Sequence, residues 1–589
     1  MRLGEGKGGC LMQDAGSVAR SAPQRGALRR LRQSGRRRRS SLLMAVVLLL
    51  AASIFPSVGG VSGVQAQGIV CEDLAGMTIP AEEIGLPTTG ATVQQAVAVE
   101  ATGSLPPYCR VEGIISPVDP TAPNIRFRVN LPVEWNGSAM HFGGGGYNGT
   151  VVSGTGAAPG APPGTPVPLA RGFATFGSDS GHEGGNASFA LNEEAMVNFG
   201  YAALKKTRDV AVTIITAHYG RGPAYTYFVG SSQGGREAVT VAQRFPEDYD
   251  GVLSIVPVLS FTGLQIAGNR MGAPLINGGW MNSAKISLLA NAVRALCDGR
   301  DGLVDGLVAK YADCEDFDPA VLRCPDGTDA GDHCLSDAQI AAVRTLRSPL
   351  EFDFPLANGV TAYPAWTIGN EDMPGGWPQW VMGSAPPPAV QNPGPNPGGP
   401  GIVNYGAQFV RFFIAQDPAF QTYDFDHNDP RWRERIEHVS AIVDATDPDL
   451  SAFHARGGKL ILVEYLGDHG RNPWAGIQYY ESVVETLGKG QTDKFMRLYV
   501  SPGADHGGNN GPSRVDWVSV LTDWVEHGKA PGEDLVMVQS QGDTVVRTMP
   551  ACLYPNWPRY MKGDPTDAAS FTCTKAPGFR GYGAGKGSN

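Results

Sequence analysis

One stretch in the first half of the chain, residues 224–242, constrains the fold more than any other. It reads AYTYFVGSSQGGREAVTVA and contains a G-x-S-x-G pattern at residues 230–234. Before the pattern, residues 225–229 are all β-branched or aromatic, which favours a buried strand. After it, residues 236–243 favour a helix with one apolar face. A serine on a tight turn between a strand and a helix is a nucleophile elbow.

The elbow explains its own glycines. Gly230 and Gly234 allow close backbone approach on both sides of the turn because they have no Cβ. Ser232 then lies above the edge of the sheet as the predicted nucleophile. The N–H of Gln233 comes at a helix N-terminus, where it can donate to an oxyanion. The alternative is an ordinary Ser/Gly turn between a strand and a helix.

A run of four glycines, residues 143–146, comes straight after another predicted strand. A backbone N–H that must come close to a substrate carbonyl needs residues of this kind. We predict that an amide of this run, with Gly144 and Gly145 at its centre, supplies the second oxyanion donor. The alternative is a flexible surface loop.

The serine needs a base, and the base needs a carboxylate that orients it. In a fold of this kind the acid and the histidine follow the serine, each at the end of its own strand. Asp468 lies just past the predicted strand at residues 457–463, and His506 lies just past the one at residues 495–500. The predicted triad is therefore Ser232, His506 and Asp468. Three neighbouring residues stay alternatives: Glu464, still within the strand, and Asp505 for the acid, and His469 for the base.

Predicted strands and helices alternate around the elbow, with a strand at residues 126–131 and a helix at 198–219. This favours an α/β fold with a mostly parallel sheet covered on both faces. His182 lies in a loop before the serine, and we expect it to form a structural hydrogen bond.

The regular pattern fades after residue 255. The following part holds four cysteines and a Pro/Gly run at residues 384–401, which cannot form the interior of a helix or sheet. We expect a large inserted lid domain at residues 256–449, between two parts of a core at 67–255 and 450–589.

The first 66 residues predict a secretory signal peptide. Residues 1–41 hold eleven Arg and Lys against two acidic residues, and an apolar run at 42–55 and small residues up to Ala66 follow. The run is too short for a good membrane span. Because the net charge is -10 despite this basic leader, the mature part is acidic. We expect a secreted or periplasmic protein that binds no nucleic acid and does not insert stably into a membrane.

Eight of the nine cysteines follow the leader, and none forms a C-x-x-C motif. An even number in an exported chain favours disulfides over a metal or redox site. Neighbours in sequence order could pair, although eight cysteines allow many other connectivities: Cys71 with Cys109, Cys297 with Cys314, Cys324 with Cys334, and Cys552 with Cys573.

Asp298, Asp301 and Asp305 recur with glycines between them in the run CDGRDGLVDGLV. Three carboxylates in a tight loop, together with main-chain carbonyls, are ligands that Ca²⁺ prefers. The spacing is not that of an EF-hand. A plain Asp/Gly turn is the alternative.

Taken together, these motifs resemble the tannase and feruloyl esterase family over about residues 71–573. They are the glycine run, the elbow, C-D-x-x-D-G-x-x-D-G from Cys297, G-G-K-L from Gly457, P-G-x-x-H from Pro502 and the last cysteine pair. The resemblance implies an α/β-hydrolase fold, the triad named above, an oxyanion hole of Gln233 and a glycine amide, four disulfides in sequence order and a substrate-selecting lid. It also implies a structural Ca²⁺ with these ligands: Asp298, Asp301, Asp305 and the carbonyls of Leu303 and Leu307.

The chain departs from the family in the residues next to the nucleophile and the histidine. The family usually has a cysteine at each of these positions, joined in a disulfide, whereas this chain has Ser231 and Gly507. Both halves are missing together, which fits an intact site without that tie. The approach to the acid, residues 463–469, reads VEYLGDH where the family tends to have His-Gly.

We therefore expect a serine carboxylesterase that cleaves esters of aromatic, hydroxycinnamic-type acids through an acyl-enzyme. Its partner would be a small aromatic ester, and the aromatic preference comes from the resemblance alone. The alternatives are a tannase, a terephthalate-monoester hydrolase, in which Arg411 could bind a carboxylate, or a non-catalytic exported binding protein. Aromatic residues of the lid either line a pocket or belong to the core: Trp377, Trp380 and residues 409–413.

Overall fold

The computed structural model describes residues 68–310, 314, 316–391, 394 and 396–575. The predicted signal peptide lies outside these residues. The described strands are β1 Thr78–Ile79, β2 Gly90–Val99, β3 Tyr108–Ser116, β4 Ile125–Pro132, β5 Ser138–Phe142, β6 Ala174–Ser178, β7 Tyr225–Ser231, β8 Gly251–Ile255, β9 Leu350–Glu351, β10 Ala362–Tyr363, β11 Lys459–Tyr465, β12 Met496–Ser501, β13 Val536–Gln541, β14 Thr544–Pro550, β15 Asn556–Tyr560 and β16 Phe571–Lys575. The described α-helices are α1 Glu193–Val197, α2 Ala203–Tyr219, α3 Gln233–Arg244, α4 Phe261–Arg270, α5 Gly272–Pro274, α6 Ser283–Cys297, α7 Asp337–Leu346, α8 Trp377–Trp380, α9 Gly401–Phe409, α10 Pro430–Val443, α11 Ser451–Arg456, α12 Pro473–Leu487, α13 Lys489–Thr492 and α14 Trp517–His527.

Ten strands form one sheet in the order β1-β2-β3-β4-β6-β5-β7-β8-β11-β12. From β6 to β12 along this order, neighbouring strands are parallel. The strands from β1 to β4 extend the sheet by antiparallel pairing and join it at β6. The carboxyl ends of parallel strands lie at one edge, so the loops after β5, β7, β11 and β12 meet there. The predicted α/β-hydrolase fold is confirmed. The antiparallel strands β1 to β4 go beyond the prediction of a mostly parallel sheet.

The parallel strands are covered on both faces, as their apolar sequences require. Side chains alternate between the faces along each strand. In β7, Phe228 packs in a core that includes α3 and α12, whereas Tyr227 and Val229 pack in a core with α14 on the other face. The predicted helix over 198–219 begins with a π-turn at Asn198–Ala202 and continues as α2.

Between β8 and β11 the regular elements of the described residues are mainly helices separated by long irregular stretches, and this is the segment predicted as a lid. Its division from the core as a separate domain stays a prediction. Helices α4 and α9 pack with their backbones in contact. A Cβ at Gly268 would lie 2.4 Å from the carbonyl oxygen of Ile402, and one at Gly406 would lie 2.3 Å from that of Gln265. These two glycines therefore set the spacing of the helix pair.

Disulfides join the eight cysteines in the pairs suggested by sequence order. The Cα–Cα distances are 5.6 Å for Cys71–Cys109, 5.7 Å for Cys297–Cys314, 5.0 Å for Cys324–Cys334 and 5.4 Å for Cys552–Cys573. All lie in the usual range for disulfides. The predicted pairing is confirmed.

Candidate active site

Ser232 lies between β7 and α3 with φ 61° and ψ -119°, a conformation that residues with a side chain rarely adopt. The flanking glycines make the turn possible. A Cβ at Gly230 would lie 2.1 Å from the carbonyl oxygen of Gly234, and one at Gly234 would lie 2.8 Å from that of Gly144. The Ser232 N–H donates to the carbonyl of Ile255 at 2.9 Å, which ties the elbow to β8.

The three predicted triad residues lie together at the carboxyl edge of the sheet. His506 Nε2 is 2.9 Å from Ser232 Oγ, and His506 Nδ1 is 2.8 Å from Asp468 Oδ2. Because a carboxylate accepts, Nδ1 carries the proton and Nε2 is free to accept the serine proton. This is the arrangement that a serine nucleophile needs.

Asp468 is fully buried and held by donors of its own loop. Its Oδ1 accepts the N–H of Gly470 at 2.9 Å, and its Oδ2 accepts Arg471 Nε at 3.0 Å. Burial alone would raise the pKa of Asp468, but the charges of His506 and Arg471 outweigh it and hold the pKa below its ordinary value. The acid is therefore kept ionised.

Arg471 also forms an ion pair with Glu464, and both side chains are buried. Burial raises the pKa of Glu464 to about 8, although the Arg471 charge acts to lower it. One guanidinium thus serves two buried carboxylates, one of them the predicted catalytic acid. We call Arg471, Glu464 and Asp468 the acid clamp.

The glycine run lies against the elbow helix. The Gly144 N–H donates to Glu237 Oε2 at 2.9 Å, and the Gly144 carbonyl accepts the N–H of Gly234 at 3.1 Å. Glu237 Oε1 also accepts Asn148 Nδ2 at 2.6 Å, and burial raises the pKa of Glu237. The Gly144 N–H is thus engaged away from the predicted oxyanion, whereas Gly145 faces the cavity beside Ser232.

A cavity of about 280 Å³ opens above Ser232. Most of its wall is apolar or aromatic, which is typical of a site for a small organic ligand. The Trp380 ring packs edge-on against His506 with centroids 5.2 Å apart. The lining residues are Gly145, Gly146, Ser232, Gln233, Val258, Phe261, Leu264, Gln265, Trp380, Ile402, Tyr405, Gly470 and His506.

The other candidate residues have partners outside this relay. His469 Nε2 donates to the carbonyl of Gly369 at 2.8 Å, and its Nδ1 lies 3.3 Å from Trp377 Nε1. His182 Nε2 donates to the carbonyl of Tyr147 at 2.6 Å, a structural contact as expected. Of the predicted lid aromatics, Trp380 lines the cavity, whereas the others lie in the core: Trp377, Phe409, Phe412 and Phe413.

The model of the family described as "Tannase and feruloyl esterase" matches residues 109–574. The chain belongs to this family. An uncharacterized esterase of Agrobacterium fabrum is 36% identical over 527 residues. The match covers 86% of this chain and 93% of the Agrobacterium protein. Mono(2-hydroxyethyl) terephthalate hydrolase of Piscinibacter sakaiensis is 30% identical over 543 residues, with 82% and 87% covered. The crystal structure of feruloyl esterase B from Aspergillus oryzae has the same fold, with a TM-score of 0.67 at 22% identity. The match covers 85% of this chain and 95% of the Aspergillus chain.

This tannase-family esterase organises its histidine loop without a disulfide at Ser231 and Gly507. Asp505 Oδ1 accepts the N–H groups of Gly507 and Asn509, both at 2.9 Å. Asp505 Oδ2 accepts Asn510 Nδ2 at 2.9 Å. Asp505, an alternative for the catalytic acid, therefore organises the turn that carries His506.

The three aspartates of the proposed calcium loop accept hydrogen bonds from the loop itself. Asp298 accepts the N–H of Gly306 at 3.0 Å and Asp301 that of Ala309 at 2.9 Å. Asp305 Oδ2 forms an ion pair with Arg547 at 3.0 Å. Across the described residues, no three acidic, histidine or cysteine side chains converge as metal ligands. The carboxylate oxygens of this loop are donors that suit Ca²⁺. In this conformation Arg547 supplies a positive charge beside the carboxylate of Asp305.

Arg471, Glu237 and Gln265 were not predicted as site residues. The sequence held a signal for two of them. Arg471 is a charged residue three positions after Asp468, and Glu237 is a charged residue one helical turn after Gln233. Gln265 lies in the irregular segment, and no motif marks it.

Proposed function

We propose that this esterase cleaves esters of aromatic, hydroxycinnamic-type acids through an acyl-enzyme on Ser232. The hydrogen-bonded chain from Ser232 through His506 to Asp468, at the wall of the apolar cavity, carries this proposal. Phe261, Trp380 and Tyr405 give the cavity aromatic surfaces against which an aromatic ring can pack. Relatives named feruloyl esterase support the same substrate class.

In the proposed reaction, His506 takes the Ser232 proton as Oγ attacks the ester carbonyl. The N–H groups of Gln233 and Gly145 receive the resulting oxyanion. His506 then protonates the leaving alcohol as the acyl-enzyme forms. Water attacks this intermediate with His506 again as the base, and the proton returns to Ser232 as the acid leaves. Asp468 orients the imidazole and stabilises its charged form.

Hydrolysis of methyl ferulate by residues 67–589 tests the proposal, with Ser232→Ala as the matched variant. We expect Ser232→Ala to lower kcat by about 10⁴-fold or more with unchanged thermal stability. A gallate ester and a terephthalate monoester in the same assay distinguish the subclasses. If the folded protein hydrolyses none of the three, the aromatic-esterase proposal is wrong and the binding-protein alternative takes its place.

We also propose Ca²⁺ as a structural ion held by Asp298, Asp301 and Asp305 with the carbonyls of Leu303 and Leu307. The carboxylates are close in sequence and largely buried, and hard oxygen donors are what Ca²⁺ prefers. Thermal unfolding with added CaCl₂ and with EGTA tests this, with Asp301→Asn as the variant. A melting temperature that is equal in both conditions would contradict the proposal.

We infer that the protein is exported. Four disulfides favour an oxidising compartment. In the part of the chain that the structure describes, no helix has the length and apolar character needed to cross a membrane. Cell fractionation and N-terminal sequencing of the mature protein test the inference, with cleavage expected after Ala66.

A further inference from the structure

Three polar side chains line the catalytic cavity besides the triad and Gln233: those of Trp380, Tyr405 and Gln265. Trp380 lies against His506, and the Tyr405 hydroxyl lies 2.9 Å from where a Cβ of Gly146 would be. Trp380 therefore borders the triad, and Tyr405 borders the glycine run. Gln265 lies on the wall formed by α4, where its neighbours in the cavity are apolar.

Gln265 is only 6% exposed and lines the cavity, and no hydrogen bond joins its side-chain amide to another described residue. Its amide atoms are not among the fully buried polar atoms without a partner, which fits an amide that faces the cavity. An amide that faces a cavity can exchange cavity water for a polar group of a ligand. Phe261, Leu264 and Gln265 lie at positions i, i+3 and i+4 of α4 and all line the cavity, so they share one helix face. The amide is thus presented to the cavity among apolar side chains.

The position of Gln265 is fixed by the neighbouring helix. Its carbonyl oxygen is so close to Gly406 that a Cβ there would lie 2.3 Å away. Ile402 and Tyr405 of α9 form the adjoining wall of the cavity. A polar group on such a closely packed pair of helices is well placed to recognise a substrate group.

The same cavity offers no formal counter-charge for a charged substituent. No Lys, Arg, Asp or Glu lines it in the described part of the chain. Arg411, the candidate for a substrate carboxylate, lines a separate cavity of about 100 Å³ with Val403 and Ala407, and its Nε donates to the carbonyl of Phe420 at 3.0 Å. A carboxylate in the catalytic cavity would therefore be buried without a counter-charge.

We propose that Gln265 is a specificity-determining residue that binds an uncharged hydroxyl or methoxy substituent on the aromatic ring of the ester. The site then discriminates against rings that carry a carboxylate. The amide oxygen accepts from a phenolic hydroxyl, and the amide nitrogen donates to a methoxy oxygen. This proposal rests on the aromatic-esterase function and names the substituent that the site recognises.

The test uses three methyl esters that differ only at the para position of the ring: cinnamate, 4-hydroxycinnamate and 4-carboxycinnamate. We expect the unaltered enzyme to favour the hydroxyl over the unsubstituted ring by about tenfold in kcat/KM, and the carboxylate to be at least about tenfold worse than the unsubstituted ring. Gln265→Met keeps the side-chain length and removes both hydrogen-bonding atoms. It should bring the hydroxyl preference to within about twofold of unity.

Leu264→Met is the matched control, because it alters the same wall without removing a polar group. It should change kcat/KM for cinnamate and 4-hydroxycinnamate by the same factor. If Gln265→Met does not fold, Gln265→Asn, which withdraws the amide by one methylene, should still reduce the hydroxyl preference.

An unchanged hydroxyl preference in the Gln265 variants would overturn the proposal. So would an unaltered enzyme that hydrolyses the carboxylate ester as fast as cinnamate. If the enzyme hydrolyses 4-nitrophenyl acetate but none of the three cinnamates, the aromatic-esterase function itself is wrong, and the Gln265 proposal falls with it.

Discussion

Two buried glutamates lie directly behind the reacting groups, and the protein stabilises them in opposite ways. Glu237, behind the glycine run, accepts hydrogen bonds from neutral donors, the Gly144 N–H and the Asn148 amide. Glu464, behind the catalytic acid, is paired with the charged Arg471. The oxyanion side is thus held by backbone packing and hydrogen bonds from neutral donors, with the charge of Arg236 acting on Glu237 without a direct ion pair among the described residues, whereas the acid side has a direct buried ion pair.

The difference follows from what each side does in the proposed reaction. Oxyanion donors must be fixed before charge develops, and close backbone contacts achieve that. The acid must stay ionised while buried, which requires a nearby cation. Substitutions on the two sides should therefore fail in different ways.

The largest effect is expected for Gly230→Ala on the oxyanion side. The new Cβ would lie 2.1 Å from the carbonyl oxygen of Gly234, and neither backbone segment can move without displacing Ser232. We expect at least about a 10³-fold loss of kcat/KM on methyl ferulate, because small displacements of reacting groups are costly. Gly156→Ala, where a Cβ meets nothing within 4 Å, is the control. Comparable activity in the two variants would show that the elbow is not held by packing.

The next effect is expected for Arg471→Met on the acid side. It leaves Glu464 and Asp468 buried without their cation, so we expect a loss of about 3–5 kcal/mol in unfolding free energy and about a 10²-fold or larger loss of kcat/KM. The acid limb of the pH–rate profile should move to higher pH, because Asp468 becomes harder to ionise.

Arg471→Lys keeps the positive charge, so its stability and kcat/KM should lie between those of the unaltered enzyme and those of Arg471→Met. The double variant Arg471→Met/Glu464→Gln also replaces the buried acidic group that lost its partner with a neutral amide, so part of the stability should return. A pH–rate profile that does not move in Arg471→Met would contradict the role of the acid clamp.

A smaller effect is expected for Glu237→Gln. The side-chain shape and one acceptor remain, so the Gly144 contact can persist while the Asn148 bond is lost. We expect about a tenfold decrease in kcat with little change in KM, as for a weakened oxyanion site. A raised KM at constant kcat would instead place Glu237 in substrate binding.

The smallest effect on activity is expected for Glu464→Gln, whose prediction concerns pH and stability. The pKa of Glu464 is raised from 4.5 to about 8, so the folded state binds more protons than the unfolded state between these values. Its contribution to stability is therefore present below pH 4.5 and is lost as the pH rises through about 8. Urea unfolding between pH 5 and 8 should show a decline of at most about 1.4 kcal/mol per pH unit, and Glu464→Gln should flatten it. An equal slope in both proteins would rule out Glu464 as its source.

The sequence predicted the parts of the site that depend on local pattern. The elbow, Asp468 and His506 each follow a buried strand with a recognisable turn, and chain order alone suggested the correct cysteine pairs. The oxyanion donor was harder to assign, because the direction of the Gly144 N–H depends on Glu237, which lies 93 residues away.

The rest depends on contacts between distant segments. The sequence offered Glu464 only as an alternative acid and Arg471 only as a charged residue close to Asp468, and only the burial of both beside Asp468 makes them a clamp. The close packing of α4 against α9 gives Gln265 its place at the cavity. The periodicity of the α4 sequence does not reveal this contact between the helices. The antiparallel strands β1 to β3 likewise depend on pairing partners.

Labelling with diethyl 4-nitrophenyl phosphate, followed by peptide mass spectrometry, tests the central claim that Ser232 is a nucleophile activated by His506. The account predicts a single diethylphosphoryl group on Ser232, release of one equivalent of nitrophenol, and labelling at least about 10²-fold slower in His506→Ala. Labelling that persists in Ser232→Ala, or proceeds at the same rate in His506→Ala, would contradict it.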